Sequence, residues 1–148
     1  MDDLAIAALG SGELRIAEAF YRSLSTSISL HPDETVLLAR HTGNIIAAVR
    51  LAPEHGVLVL RTMRVHPDWQ QRGIGTALLL RLAPVLGSRE CFCLPWKHLQ
   101  GFYGQAGFET VKAAGLPPFL RERLRQYQAD GHRLVAMRRS SLAAGRPR

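Results

Sequence analysis

Residues 60–82, LRTMRVHPDWQQRGIGTALLLRL, contain the segment that decides the fold. A β-rich run ends at Val65, and Pro67 follows it. The loop at 70–75, QQRGIG, leads directly into a run of helical periodicity that begins at Ile74. The first backbone N–H groups of a helix lack internal acceptors and lie at the positive end of the helix dipole. The segment therefore predicts a strand, a glycine loop and a helix N-terminus suited to a phosphate group.

Two well-known phosphate-binding motifs do not fit this loop. A P-loop requires Gly-Lys-Ser/Thr before its helix, whereas this chain has Gly-Ile-Gly-Thr at 73–76. A dinucleotide fingerprint requires a third glycine or alanine where this chain has Leu78. Gly73 and Gly75 still lack the Cβ atoms that would hinder the approach of a diphosphate. The loop therefore predicts a phosphate ligand of another class.

The patterns on either side of this segment predict one domain of the α/β or α+β class. Upstream lie a short strand at 4–9, a helix at 14–24 and a hairpin of strands at 35–40 and 45–51; downstream lie strands at 91–94, 108–112 and 133–138, a short helix at 99–106 and an amphipathic helix at 118–128. The helix that begins at Ile74 is predicted to end at Leu82, because Pro84 and Gly87 follow. A length of 148 residues predicts a single domain over 1–142, followed by a short flexible basic tail at 143–148.

Three motifs together resemble the GNAT superfamily of N-acetyltransferases. The family's Arg/Gln-x-x-Gly-x-Gly/Ala signature is matched by Gln70, Gly73 and Gly75. The strand-proline element MRVHP at 63–67 precedes it, and FYGQAGF at 102–108 resembles the family's Tyr-x-x-x-Gly-Phe. The resemblance implies a mixed, mostly antiparallel central sheet flanked by helices. The helix at 118–128 would be an addition before the last strand.

The resemblance also implies acetyl-CoA as the acyl donor and assigns a role to particular residues. The backbone of Met63, Arg64 and Val65 would bind the pantetheine arm in the manner of an added strand. The pyrophosphate would be held by the amides of Gln71, Arg72, Gly73, Ile74, Gly75 and Thr76. An uncharged amine would attack the thioester directly, with the N–H near Val65 stabilising the oxyanion and Tyr103 protonating the departing thiolate.

Two positions depart from the family pattern. Where the family often has an asparagine that binds the pantetheine arm, this chain has Trp96, and where many members have a glutamate base, it has Cys91. The general base is therefore open among Glu54, His66, His98 and a chain of water molecules. Trp96 would instead help to shape the acceptor pocket.

Arginine dominates the charge of the chain. The net charge is +7, and all but two of the 19 basic residues are arginine. Residues 116–148 hold eight arginines against Glu122 and Asp130. We expect the acceptor to be an amine of a small molecule or peptide, and arginines facing it would favour an acceptor with a carboxylate or phosphate. The alternative is a nucleic-acid-associated module of the same fold that binds coenzyme A without catalysis, although nucleic acid is the less favoured partner.

The remaining features concern metals, compartment and assembly. Cys91 and Cys93 are predicted to be buried small hydrophobes without a metal, because a metal site needs about four ligands. The apolar runs are too short to span a membrane, and Met1 is followed by two aspartates rather than by a signal-like start. We therefore expect a cytoplasmic protein without a membrane partner. An edge strand at 133–138 would offer a surface for a homodimer.

Overall fold

The computed structural model describes residues 3–10 and 12–141, and within them seven strands form one sheet with helices on both faces. The strands are β1 Leu4–Ala8, β2 Thr35–His41, β3 Asn44–Glu54, β4 Val57–Val65, β5 Cys91–Cys93, β6 Glu109–Val111 and β7 Ala136–Arg139. The α-helices are α1 Leu14–Ser23, α2 Ile74–Leu86, α3 Gln100–Gly104 and α4 Pro118–Ala129. The strand order is β1-β2-β3-β4-β5-β7-β6, with β4 and β5 parallel and every other neighbouring pair antiparallel. This confirms the mixed, mostly antiparallel sheet and the helix before the last strand.

The two faces of the sheet bury different helices. Leucines of α2 pack with Tyr103 of α3 on one face, where they cover side chains of β2 to β5 and β7. On the opposite face, Val36 and Leu38 of β2 pack under α1, and Val59 and Phe92 pack under α4. Because α1 and α4 lie on the same face over different strands, the middle of that face is available for polar residues.

Helix α2 is one turn longer than the sequence predicts. It continues through Pro84 to Leu86, rather than ending at Leu82, and Gly87 ends it with a φ of 59°. Pro84 removes one hydrogen bond from the last turn. Leu86 is 1% exposed, and burying a leucine contributes about 1.5–3 kcal/mol, which offsets much of that cost.

The last strand is not at the edge of the sheet, and the prediction of a dimerisation edge at 133–138 is wrong. β7 pairs with β5 on one side and with β6 on the other, so both of its backbone edges are occupied. Residues 133–135 precede the strand and bond to the backbone of residues 95–97. The sheet edges among the described residues are β1 and β6.

Two further predictions concern the ends of the chain and membranes. The predicted tail at 143–148 lies outside the described residues. Within residues 3–10 and 12–141, no helix has the length and apolar character needed to cross a bilayer.

Candidate active site

Strands β4 and β5 separate after two residue pairs and leave a gap in the sheet. Their ladder joins residues 58–59 of β4 to residues 91–92 of β5. β4 continues to Val65, whereas the chain after Cys93 turns away and pairs with residues 133–135. A cavity of about 380 Å³ lies in this gap, with walls from β4, the segment after β5, α3 and α4. Its volume is within the usual range for small-molecule sites.

A β-bulge shapes the β4 wall of the gap. The register with β3 shifts by one residue there, and Thr62 adopts a positive φ of 54°. The Tyr21 hydroxyl of α1 donates to the Thr62 carbonyl at 2.8 Å, and the Arg50 guanidinium donates to the Thr62 hydroxyl at 3.1 Å. Arg50 is buried and donates two further hydrogen bonds to Glu34, at 2.7 and 2.9 Å. A strained backbone position is thus fixed by α1 and by a buried ion pair.

Beyond the bulge, β4 offers backbone hydrogen-bonding groups to the gap. The His66 N–H donates to a carbonyl of β3 at 2.7 Å, so strand alternation directs the N–H and carbonyl of Val65 away from β3. Met63 lines the cavity, whereas Arg64 between Met63 and Val65 pairs with Ala48 of β3. Of the three residues predicted to expose their backbone, Met63 and Val65 therefore face the gap.

Tyr103 belongs to α3 and forms part of one wall of the cavity. Its ring packs edge-on against Phe102 at 5.0 Å and Phe108 at 6.2 Å, and the residue is 6% exposed. Its hydroxyl has no hydrogen-bond partner among the described residues. Every fully buried side-chain oxygen of those residues has a partner, so the Tyr103 hydroxyl is not fully buried and reaches the open space of the cavity. Burial raises the pKa of the phenol, and the nearby Cys93 thiol raises it further. Tyr103 therefore holds its proton at neutral pH.

The loop before α2 presents an uninterrupted row of backbone donors. Within the described part of the chain, the N–H groups of residues 71–76 donate no hydrogen bond. Gln71 and Gly73 have positive φ values of 62° and 79°, which turn the loop into the helix. A Cβ at Gly75 would lie 3.5 Å from the Phe102 ring and 3.7 Å from the Val65 side chain. The helix end of the row of donors therefore lies beside the end of β4.

Side chains hold this loop against the end of the sheet. The Gln70 amide donates to the Val65 carbonyl at 3.2 Å. The Arg72 guanidinium stacks over the Trp69 ring at 5.0 Å, and Trp69 contacts the His41 ring at 4.5 Å. Arg72 is exposed, so its charge is available next to the free N–H groups.

Further cavity residues lie on the α1 and α4 side of the sheet, and the sequence analysis did not assign them to the site. They are Arg61 of β4, Arg123 and Tyr127 of α4, and His132 after α4. Trp96 lines the cavity as expected, and its ring contacts His132 at 5.4 Å. The four-residue spacing of Arg123 and Tyr127 on an amphipathic helix was the signal that these two share a face.

None of the three side chains considered as general base lines the main cavity. Glu54 accepts two hydrogen bonds from Arg123, at 2.7 and 3.2 Å, and lines a second cavity beside the first. Burial raises the pKa of Glu54, but the hydrogen bonds and charges of Arg123 and the charge of Arg61 outweigh it and lower the pKa overall. His66 accepts a hydrogen bond from the N–H two residues on, and His98 is exposed; neither lines either cavity.

Cys91 and Cys93 are both buried under α2, where burial raises the pKa of each thiol. Within residues 3–10 and 12–141 there is no cluster of three or more side chains that could bind a metal ion.

A model of the acetyltransferase (GNAT) domain matches residues 32–110, which is more than half of the chain. No curated protein matches the chain. The match includes the bulged strand, the donor loop and Tyr103.

Solved structures share the fold at low sequence identity. The ribosomal-protein-S18-alanine N-acetyltransferase from Escherichia coli superimposes with a TM-score of 0.66 at 18% identity, covering 93% of this chain and 94% of that one. An acyl-CoA N-acyltransferase from Pseudomonas aeruginosa gives 0.62 at 22% identity, with 93% and 99% covered. N-acetylglutamate synthase from Neisseria gonorrhoeae, complexed with coenzyme A and N-acetyl-glutamate, gives 0.63 at 22% identity. The alignment covers 92% of this chain but 34% of the synthase, so this chain spans about a third of its length.

Proposed function

The chain belongs to the GNAT acetyltransferase family, and on this premise we propose that it transfers the acetyl group of acetyl-CoA to a primary amine of a small molecule or peptide. The observation that supports the proposal is that backbone N–H groups without acceptors among the described residues run from the gap beside β4 to the loop before α2. Met63 and Val65 face the gap, and the free N–H groups of residues 71–76 follow next to Val65. An extended arm with amide groups that ends in a diphosphate requires donors in this order.

Each part of the donor would then meet a different part of the chain. The β4 backbone at Met63 and Val65 would bind the pantetheine arm, and Arg64 would contribute by fixing the strand between them. The amides of residues 71–76 would bind the pyrophosphate at the positive end of α2. The exposed Arg72 guanidinium would add charge next to it.

The amine nitrogen would attack the thioester carbonyl, and the carbon–sulfur bond would break directly. A gap-facing N–H of β4 near Val65 that is not used by the pantetheine arm would donate to the oxyanion. The Tyr103 hydroxyl has no partner in the described protein and would donate its proton to the departing thiolate. A raised phenol pKa keeps that proton in place until the thiolate develops, so the transfer relies on positioning.

Deprotonation of the amine would rely on its surroundings rather than on one carboxylate. Glu54 is engaged by Arg123, and neither His66 nor His98 lines the cavity. A cavity wall with several arginines disfavours a protonated amine, because like charges lower its pKa. The proton would therefore leave through water at the mouth of the cavity.

The test is a comparison of two cavity-lining tyrosines. Acetyl-CoA binding is measured by calorimetry, and thiol release is followed with a panel of amines. Tyr103→Phe should bind acetyl-CoA normally and lower kcat by about 100-fold or more, the usual range for a general acid. Tyr127→Phe removes another hydroxyl from the same cavity and should leave kcat within about twofold. No heat with acetyl-CoA would overturn the function, and normal turnover by Tyr103→Phe would overturn the role of Tyr103.

The nucleic-acid alternative receives little support from the basic C-terminal third. Of its six described arginines, Arg123, Arg125 and Arg138 are paired with carboxylates, and Arg139 is buried. Binding of RNA or DNA that weakens steeply with salt would favour that alternative. A cytoplasmic location and a homodimer stay predictions of the sequence.

A further inference from the structure

The cavity in the gap has an unbalanced positive wall. The residues that line it include Arg61, Arg64 and Arg123 but neither aspartate nor glutamate. Glu54 lies outside the lining and contacts Arg123 at 2.7 Å and Arg61 at 3.7 Å. The neighbouring cavity that Arg61 also lines contains Asp33 and Glu34, and Glu34 is paired with Arg50. Arg61 and Arg123 share the one Glu54 carboxylate, and the hydrogen-bond acceptors of Arg64 are neutral, so the wall of the main cavity keeps an excess of positive charge. A narrow apolar cleft concentrates the field of such charges.

The three arginines differ in how many donors they have left. Arg123 gives two of its donor atoms to Glu54. Arg64 donates to the hydroxyl of Thr26 and to a backbone carbonyl, both neutral acceptors, which fixes its position without cancelling its charge.

Arg61 is the guanidinium with free donors. Its 3.7 Å approach to Glu54 exceeds hydrogen-bond distance, and its side chain makes no hydrogen bond within the described residues. It is one-third exposed and lines both the main cavity and the neighbouring one. A planar guanidinium with free donors is suited to bidentate binding of a carboxylate or phosphate.

The charge of acetyl-CoA does not account for these arginines. In the proposed function its pyrophosphate lies at residues 71–76, its 3′-phosphate lies on the adenosine side of the pyrophosphate and away from the gap, and the pantetheine arm is uncharged. Arg61 and Arg123 instead belong to the side of the sheet that carries α1 and α4. The positive wall is therefore left to the second substrate.

We propose that the acceptor is a small amine that carries an anionic group close to its nitrogen, and that Arg61 binds this group. The inference rests on the proposed function and narrows its acceptor class. Trp96 and His132, whose ring centroids are 5.4 Å apart, form an aromatic wall against which the apolar remainder of the acceptor packs. Polyamines and lysine side chains are disfavoured because they add positive charge to the cavity.

The experiment measures product binding, so that it does not depend on turnover. Protein saturated with coenzyme A is titrated with N-acetyl-L-phenylalanine and, separately, with its neutral carboxamide. The acid should bind at least about tenfold more tightly, as expected for a hydrogen bond between charged groups. N-acetyl-O-phosphoethanolamine in a third titration distinguishes phosphate from carboxylate, and tighter binding of either anion than of the carboxamide supports the proposal.

Two variants test whether Arg61 is the residue responsible. Arg61→Gln should reduce the preference for the acid to about twofold without changing the melting temperature. Arg125→Gln is the matched control, because Arg125 is exposed and paired with Glu122 outside the cavity, and it should keep the full preference. Arg61→Lys should retain part of the preference through its charge.

Equal binding of acid and carboxamide, or an equal loss in both glutamine variants, would overturn the inference. Failure of the proposed function has a different signature, namely no heat with coenzyme A. In that case the acid and carboxamide are compared on the protein alone, where the same preference and the same dependence on Arg61 are expected.

Discussion

Gly73→Ala tests whether the backbone of the donor loop has the conformation described above. Gly73 precedes α2 with a φ of 79°, and a Cβ added there would meet no atom within 4 Å. The cost of the substitution therefore comes from the backbone alone. A left-handed conformation costs an alanine about 1–2 kcal/mol relative to glycine. For a domain of this size, that loss lowers the melting temperature by about 2–8 °C.

Gly75→Ala is the matched control two residues later. Gly75 lies inside α2, and its added Cβ would make ordinary contacts with Phe102 and Val65. Because alanine favours a helix over glycine by up to about 1 kcal/mol, Gly75→Ala should be neutral or stabilising. Thermal unfolding followed by circular dichroism measures both. A Gly73→Ala variant that melts at or above the wild-type temperature would refute the reasoning, as would a Gly73→Asn variant less stable than Gly73→Ala, since asparagine tolerates this conformation.

Three further predictions concern the buried ion pair, pH and the thiols. Arg50→Met should lower the free energy of unfolding by about 3–5 kcal/mol in urea titrations, because Glu34 is left buried without its partner. Adding Glu34→Gln should recover part of the loss. A loss below about 1 kcal/mol for Arg50→Met would contradict the role of the ion pair. The pKa of Glu54 is lowered in the folded protein, so its stabilising contribution is present above the ordinary glutamate pKa and is lost as the pH falls. Wild type should therefore lose more stability than Glu54→Gln between about pH 5 and pH 3. Equal losses would argue against the ion pair. Burial raises the pKa of Cys91 to about 12, and both Cys91 and Cys93 should resist a thiol reagent in the native protein but react in denaturant; rapid native labelling would contradict their burial.

Local patterns predicted the elements around the donor loop. Pro67 after Val65 marks the end of β4 correctly, because this signal acts within a few residues. The helix start at Ile74 follows from Gly73, the residue that allows the turn. The amphipathic pattern at 118–128 likewise predicted α4, whose buried residues are Leu120 and Leu124.

The features that depend on distant pairing could not be predicted in the same way. β7 was expected at an edge because nothing in residues 133–138 indicates that β6 lies beyond it. The bulge at Thr62 has no glycine to mark it and depends on Tyr21 and Arg50, which are 41 and 12 residues away. Arg61 and His132 meet at one cavity only because α4 packs on the face opposite α2.

The gap between β4 and β5 divides the sheet into a four-stranded part and a three-stranded part, which are joined by only two residue pairs among the described residues. The leucines of α2 pack against strands of both parts, so this helix holds the two parts together across the gap. A bound molecule that formed hydrogen bonds with β4 along the gap would replace those that a neighbouring strand would otherwise make. Amide hydrogens on the gap side of β4 should then exchange slowly with deuterium only while that molecule is bound.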